Sequence, residues 1–122
     1  MLNNDFFSIT DFQQEENTVK ATLVLNPEHL IFEGHFPDFP VVPGVCMMQM
    51  MREVMEKVLN KKTNIKKADH LKFLSLINPQ ETTVVDTVLT YKNLEDGNIS
   101  VDAKIFNDTI TFFKMRCVLS LN

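Results

Sequence analysis

Tryptophan is absent from these 122 residues, tyrosine occurs once, glycine three times and cysteine twice. Cys46 and Cys117 are not spaced as a metal-binding or redox pair, and they read as free thiols of a cytoplasmic protein. No stretch approaches the ~18 to 20 apolar residues that a membrane-spanning helix needs. The start, MLNNDFFSIT, has neither a basic beginning nor an apolar run of signal-peptide length. Positive charge is also in short supply. The net charge of −4 argues against general nucleic-acid binding. Repeats and low-complexity tracts are missing. What remains is a composition of 44% hydrophobic and 23% charged residues, with ten Phe and seven Met to supply apolar volume. That reads as a single globular domain over 1–122. A domain this small buries only part of its surface, so a partner subunit is expected.

The chain order reads as two strands, one helix, then four strands. Residues 6–13 are apolar and partly alternating. Residues 18–25, TVKATLVL, alternate better and are rich in β-branched side chains, and Asn26-Pro27 ends them. The only long helix is expected over 43–60, followed by a polar turn over 61–64. Four more strands are expected over 65–76, 82–92, 98–106 and 109–121. They are separated by Asn78-Pro79, Asp96-Gly97-Asn98 and Asn107-Asp108. This order fits an α+β architecture, a long antiparallel sheet with one helix against its concave face.

The start of the helix holds the sharpest features. Pro43 suits the first helical position, where its missing N–H costs nothing. Gly44 follows and lets another group come close to the backbone. The first turn therefore offers free N–H groups with partial positive charge, able to hold an anion or a polarised carbonyl oxygen. Val45, Cys46, Met47 and Met48 are apolar all round, which predicts a helix start buried on every side. Gln49, Arg52, Glu53, Glu56, Lys57 and Asn60 then form one polar stripe. Glu56, Lys57 and Asn60 are expected to face water. Gln49 begins the stripe where its neighbours predict burial.

In front of the helix lies GHFPDFPVVPG, residues 34–44. Each proline pushes the residue before it, Phe36, Phe39 or Val42, into an extended conformation. The segment from His35 to Gly44 is therefore stiff, and it can deliver His35 to a fixed place near the helix start. Histidine is the usual general base near neutral pH. His29 and His70 have no motif around them and read as structural or surface residues, and His29 and His35 are not spaced as a metal pair.

GHFPDFPVVPGV followed by an apolar helix resembles the signature of the 3-hydroxyacyl-acyl-carrier-protein dehydratases of type II fatty-acid synthesis, the Z-type and A-type hot-dog enzymes. Similarity continues more weakly at Lys72-Phe73 and Ile77-Asn78-Pro79, and the strand order fits over nearly the whole chain. The resemblance implies a hot-dog fold, one central helix wrapped by an antiparallel sheet of five to six strands. It implies a homodimer or an oligomer of dimers, and an acyl chain carried on phosphopantetheine by an acyl carrier protein. No metal and no further cofactor is implied. By the same resemblance His35 takes the proton from C2 of the substrate. The Gly44 backbone N–H holds the thioester carbonyl, and Gly34, Phe36, Pro43 and Val45 contact the substrate. A carboxylate five residues after that glycine, on the partner's helix, assists loss of the C3 hydroxyl.

Here the chain departs from the pattern. The carboxylate position is Gln49, which can hydrogen-bond a hydroxyl but supplies no labile proton. The Z-type pattern has Glu there and Gln four residues on. This chain has Gln49 and then Glu53, the two side chains swapped along one helix face. Two functions follow. One is a lyase that dehydrates 3-hydroxyacyl thioesters to trans-2-enoyl thioesters, with Gln49 or Glu53 handling the hydroxyl. The other is a non-catalytic or half-active subunit that pairs with a complete dehydratase or holds a carrier protein. A hot-dog thioesterase is a third reading, against which the dehydratase-type loop counts. Cys46 as an acyl-accepting nucleophile is a fourth, against which its apolar neighbours count.

Charge is uneven along the chain. Seven of the twelve Lys and Arg fall between Arg52 and Lys72. Arg52, Lys57, Lys61, Lys62, Lys66, Lys67 and Lys72 read either as plain solvated surface or as a basic patch that docks an acidic carrier protein.

Overall fold

The structure is a computed structural model that describes residues 2–33 and 40–121. Gly34, His35, Phe36 and Phe39 lie outside the described residues. The described residues form six strands and one helix: β1 (Phe7–Glu15), β2 (Thr18–Leu25), α1 (Gly44–Leu59), β3 (Thr63–Phe73), β4 (Val84–Asn93), β5 (Ile99–Phe106) and β6 (Thr111–Leu121). A 3-10 turn, Leu30–Phe32, precedes the proline-rich segment. The strands make one antiparallel sheet in the order β1-β2-β4-β5-β6-β3, with β1 and β3 at its edges.

Alternation along each strand sets which face meets the helix. Val19, Ala21, Leu23 and Leu25 of β2 are buried, as are Val85, Thr87 and Leu89 of β4. Ile99, Val101, Ala103 and Ile105 of β5 and Phe113, Met115, Cys117 and Leu119 of β6 complete the inner face. Against it α1 lays Met47, Met50, Met51, Val54 and Met55. Unbranched Met side chains fill the irregular space that a curved sheet leaves beside a helix. Each such burial contributes roughly 1.5 to 3 kcal/mol. The result is the hot-dog architecture, six strands around one helix.

The connections follow the turn chemistry of their residues. Gly97 has φ 88°, and the Asp96 side chain accepts from the Asn98 N–H at 3.0 Å. Asn26, Asn78 and Asn107 accept from the backbone two or three residues on. The helix ends where Asn60 takes the left-handed conformation, φ 54°.

Three expectations about the helix need correction. Pro43 is not the first helical residue. With ψ at 145° it is the extended residue just outside, and its carbonyl accepts from the Cys46 and Met47 N–H groups. The helix start is not buried on every side within this chain. Cys46 and Met47 are buried, but Val45 is 71% exposed. Finally, Glu56 does not simply face water. It accepts from the Thr63 backbone N–H at 2.7 Å and from its hydroxyl at 3.2 Å, tying the start of β3 to the helix. Sheet pairing consequently begins at Thr63, where a polar turn was expected.

Candidate functional site

At the start of α1 the chain forms an apolar groove of about 620 Å³. Val42, Pro43, Gly44 and Val45 make one wall, and Phe73, Leu74 and Leu76 the other. Local physics explains both walls. The Val42 N–H donates to the Ile77 carbonyl at 2.9 Å, and Ile77 is fully buried, so the end of the proline-rich segment is pinned to the chain after β3. The Leu74 and Ser75 N–H groups turn to the Phe112 carbonyl, which takes the chain out of the regular β3–β6 ladder after Phe73. Residues 74–76 were expected to continue the strand. They leave it instead and line the groove, with Leu74 and Leu76 largely exposed.

Gly44 is required by its neighbour. A Cβ at this position would lie 2.6 Å from Cε1 of Phe73, so any side chain must displace that ring. Among the described residues the Gly44 and Val45 N–H groups make no hydrogen bond, while the next two, of Cys46 and Met47, are satisfied by Pro43. The groove therefore ends on open, partly positive donors inside an apolar surround, where they interact more strongly than in water.

Gln49 and Glu53 lie away from the lining of this groove. With a rise of about 1.5 Å per residue, Gln49 is roughly 7.5 Å along the helix from Gly44. Its Nε2 donates to Glu53 Oε2 at 2.8 Å, and its Oε1 accepts from Arg52 Nη2 at 2.6 Å. Arg52 also donates through Nη1 to the Thr63 carbonyl at 2.8 Å. Glu53 is 2% exposed. Its carboxylate accepts from the Leu2 N–H at 3.0 and 2.9 Å and from the Asn3 N–H at 2.7 Å. The start of the polar stripe, where Gln49 was expected to be buried, is a hydrogen-bonded row, Arg52–Gln49–Glu53, closed by the backbone of residues 2 and 3. Sequence reasoning missed this partner because a backbone N–H leaves no mark on residue type.

The other candidates fall elsewhere. Cys46 and Cys117 are both free and buried. Burial pushes the Cys46 thiol up, away from the thiolate a nucleophile needs. His29 caps the 3-10 turn, its Nδ1 accepting from the Ile31 N–H, while its Nε2 meets Asp5 at 3.0 Å. His70 is exposed, in a left-handed bulge of β3. Neither belongs to the groove. The basic run is dispersed. Arg52 points inward, Lys57 lies 5.2 Å over the Phe12 ring of β1, and Lys67 pairs with Asp69 at 3.5 Å. Lys61, Lys62 and Lys66 are exposed. No helix among the described residues is long and apolar enough to cross a membrane.

Comparison with known proteins fits this geometry. The bifunctional enzyme LpxC/FabZ of Chlorobaculum tepidum is 31% identical over 106 residues, which cover 80% of this chain and 22% of that protein. The 3-hydroxyacyl-[acyl-carrier-protein] dehydratase FabZ of Francisella tularensis subsp. novicida is 40% identical over 45 residues, 37% of this chain and 28% of that one. The matches thus span less than a third of either relative. Among solved structures, the dehydratase heterocomplex ApeI:P from Xenorhabdus doucetiae shares the fold with a TM-score of 0.73 at 17% identity. That match covers 92% of this chain and 96% of the other. A family model for ApeI-like proteins, described as ApeI dehydratase, matches residues 11–109. The chain belongs to the ApeI-like dehydratase family.

Proposed function

We propose that this protein is a hydro-lyase. It removes water from 3-hydroxyacyl thioesters, presented by an acyl carrier protein, to give trans-2-enoyl thioesters in fatty-acid or related acyl-chain synthesis. It works in the cytoplasm as one domain per subunit, paired about a two-fold axis with the site between subunits. The observation that carries this reading is the apolar groove ending on the N–H groups of Gly44 and Val45, to which no described residue gives a hydrogen-bond partner. An acyl chain fits such a groove, and a thioester carbonyl fits such donors.

The chemistry follows from those parts. Donors at the carbonyl oxygen stabilise the charge that develops there when the C2 proton leaves, and His35 takes that proton. The electron pair forms the C2–C3 double bond and the C3–O bond breaks. The departing hydroxide needs one proton, and the imidazolium of His35 holds one. Gln49 of the partner subunit contributes its second amide hydrogen to the leaving oxygen, since the first is committed to Glu53. Dimerisation supports this sharing. The exposed Val45, Phe73, Leu74 and Leu76 form an apolar patch beside the unpaired edge of β3, the kind of surface that a second copy covers.

A second reading rests on Gln49. An amide held between Arg52 and Glu53 has no labile proton, and loss of acid assistance typically costs ~100- to 10,000-fold. On that ground the chain is a half-active or silent subunit whose partner is a complete dehydratase. One assay separates the two. A 3-hydroxyacyl carrier thioester is given to the purified protein and the loss of water is followed by mass. The lyase reading expects turnover by the protein alone, and the subunit reading expects none until a complete dehydratase is added.

A further inference from the structure

A glutamine amide carries an acceptor and a donor on one carbon, and its neighbours decide which of them faces where. Around Gln49 the helix spacing brings two side chains of opposite charge to one amide. The Arg52 guanidinium only donates, and its Nη2 meets Gln49 Oε1 at 2.6 Å. The Glu53 carboxylate, as an anion, only accepts, and its Oε2 meets Gln49 Nε2 at 2.8 Å. Turning the amide over would set donor against donor at Arg52 and acceptor against acceptor at Glu53. One orientation satisfies both neighbours.

Both ends of this row are tied to backbone. Arg52 Nη1 donates to the Thr63 carbonyl at 2.8 Å, and Thr63 is the buried first residue of β3. Reaching Gln49 and Thr63 at once needs the planar fork of arginine, since the two bonds leave from different nitrogens. At the other end Glu53 takes the N–H groups of Leu2 and Asn3. These residues belong to a closed turn in which the Asp5 and Phe6 N–H groups donate to the Leu2 carbonyl at 3.1 and 2.7 Å. Phe6 is fully buried and seats that turn on the core. The amide is thus held between a guanidinium fixed by a strand and a carboxylate fixed by a turn.

After these bonds Gln49 keeps one N–H and one oxygen lone pair. The lone pair lies beside the Arg52 charge, which repels a further donor. The N–H is the group left to offer. We infer, resting on the lyase reading above, that Arg52 is a positioning residue: it fixes Gln49 as a hydrogen-bond donor to the C3 oxygen of a substrate in the partner subunit's groove. Charge flow gives the reason. As the C3–O bond breaks, its oxygen gains negative charge, and a donor stabilises that change. A carbonyl turned the same way would hold the hydroxyl hydrogen of the ground state and oppose departure. The guanidinium at Oε1 also draws electron density from the amide, which strengthens the remaining N–H as a donor.

Two measurements on the full chain test this. The first reads the Gln49 side-chain amide by nitrogen–proton correlation NMR, its signals identified by their absence in Gln49→Leu. In the wild type they are expected to lie away from those of a free glutamine side chain. In Arg52→Met they are expected to move to the free values, and in Arg52→Lys to return part of the way. Free values in the wild type, or signals that Arg52→Met leaves in place, overturn the proposal. The second follows dehydration of a 3-hydroxyacyl pantetheine thioester by mass. Arg52→Met is expected to lower kcat about ten- to a hundredfold. Its Michaelis constant is expected to change little, because the groove and the carbonyl donors belong to other residues. Arg52→Lys is expected to recover part of the rate. A folded Arg52→Met of unchanged kcat that only melts at lower urea makes Arg52 structural and overturns the proposal. A wild type without turnover defeats the lyase reading, while the amide signals still decide whether Arg52 orients Gln49.

Discussion

The Gln49 amide donates to the Glu53 carboxylate at 2.8 Å, one turn further along α1. The same carboxylate receives the backbone N–H groups of Leu2 and Asn3, and the same amide receives Arg52. Exchanging the two side chains relative to the resembled pattern thus creates a buried anchor for the start of the chain. It also leaves an amide where the resemblance implies an acid.

Glu53→Gln is expected to cost stability before it costs chemistry. The substitution puts an amide against backbone donors that now meet a carboxylate, and leaving buried donors unmatched costs about 1 to 3 kcal/mol. Urea denaturation measures this. Turnover is expected to persist wherever the variant is folded. A variant of normal stability and little activity would instead make Glu53 the acid.

Gln49→Glu is expected to trade in the opposite direction. It removes the donor to Glu53 and sets a second carboxylate one turn from the first, which destabilises the helix face. It also supplies the missing acid, so turnover is expected to rise. In Q49E/E53Q the donor–acceptor pair is restored with its sense reversed. Part of the stability lost in Gln49→Glu is therefore expected to return, and a double-mutant cycle is expected to give a coupling of about 0.5 to 3 kcal/mol.

Gly44→Ala tests the groove. Alanine gains roughly 1 kcal/mol of helix propensity over glycine, but its Cβ displaces the Phe73 ring, half of whose surface is open. Net stability is expected to change little, while the Michaelis constant for an acyl thioester rises. Adding Phe73→Leu is expected to restore much of that affinity. Stability loss with unchanged substrate affinity would mean that the groove is packing alone.

The two cysteines are expected to be silent towards thiol reagents at neutral pH in the folded protein and to react once it is unfolded. Burial, with Asp102 adding to it, pushes the Cys117 thiol up to about 11 from an ordinary 9.0. The unfolded chain ionises this thiol first. Its contribution to stability is therefore complete below pH 9.0 and is lost as pH rises through about 11. Alkaline denaturation of wild type against Cys117→Ala is expected to diverge in that window. Rapid labelling of Cys46 in the folded state would revive it as a nucleophile.

Strands and helix were legible because alternation and punctuation carry them. Residues 18–25 form β2 with those bounds, and the helix expected over 43–60 is Gly44–Leu59. Errors arose where tertiary contacts override local pattern. Residues 74–76 look like strand, yet the Phe112 carbonyl diverts them. Thr63 looks like turn, yet Glu56 holds it. Gly44 could be singled out from its place in the motif, but not the Phe73 ring that requires it. His35 lies outside the described residues, so its role rests on the motif and on the proposed chemistry.

The most direct test of that chemistry is the mass-detected loss of water from a 3-hydroxyacyl carrier thioester, measured side by side for wild type, His35→Ala and Gln49→Glu. The account predicts slow turnover by the wild type, none by His35→Ala with fold and dimer intact, and a faster rate with Gln49→Glu. A wild type that forms no enoyl product, and gains none with Gln49→Glu, would contradict it and leave the chain a partner subunit that keeps the shape of a dehydratase without its reaction.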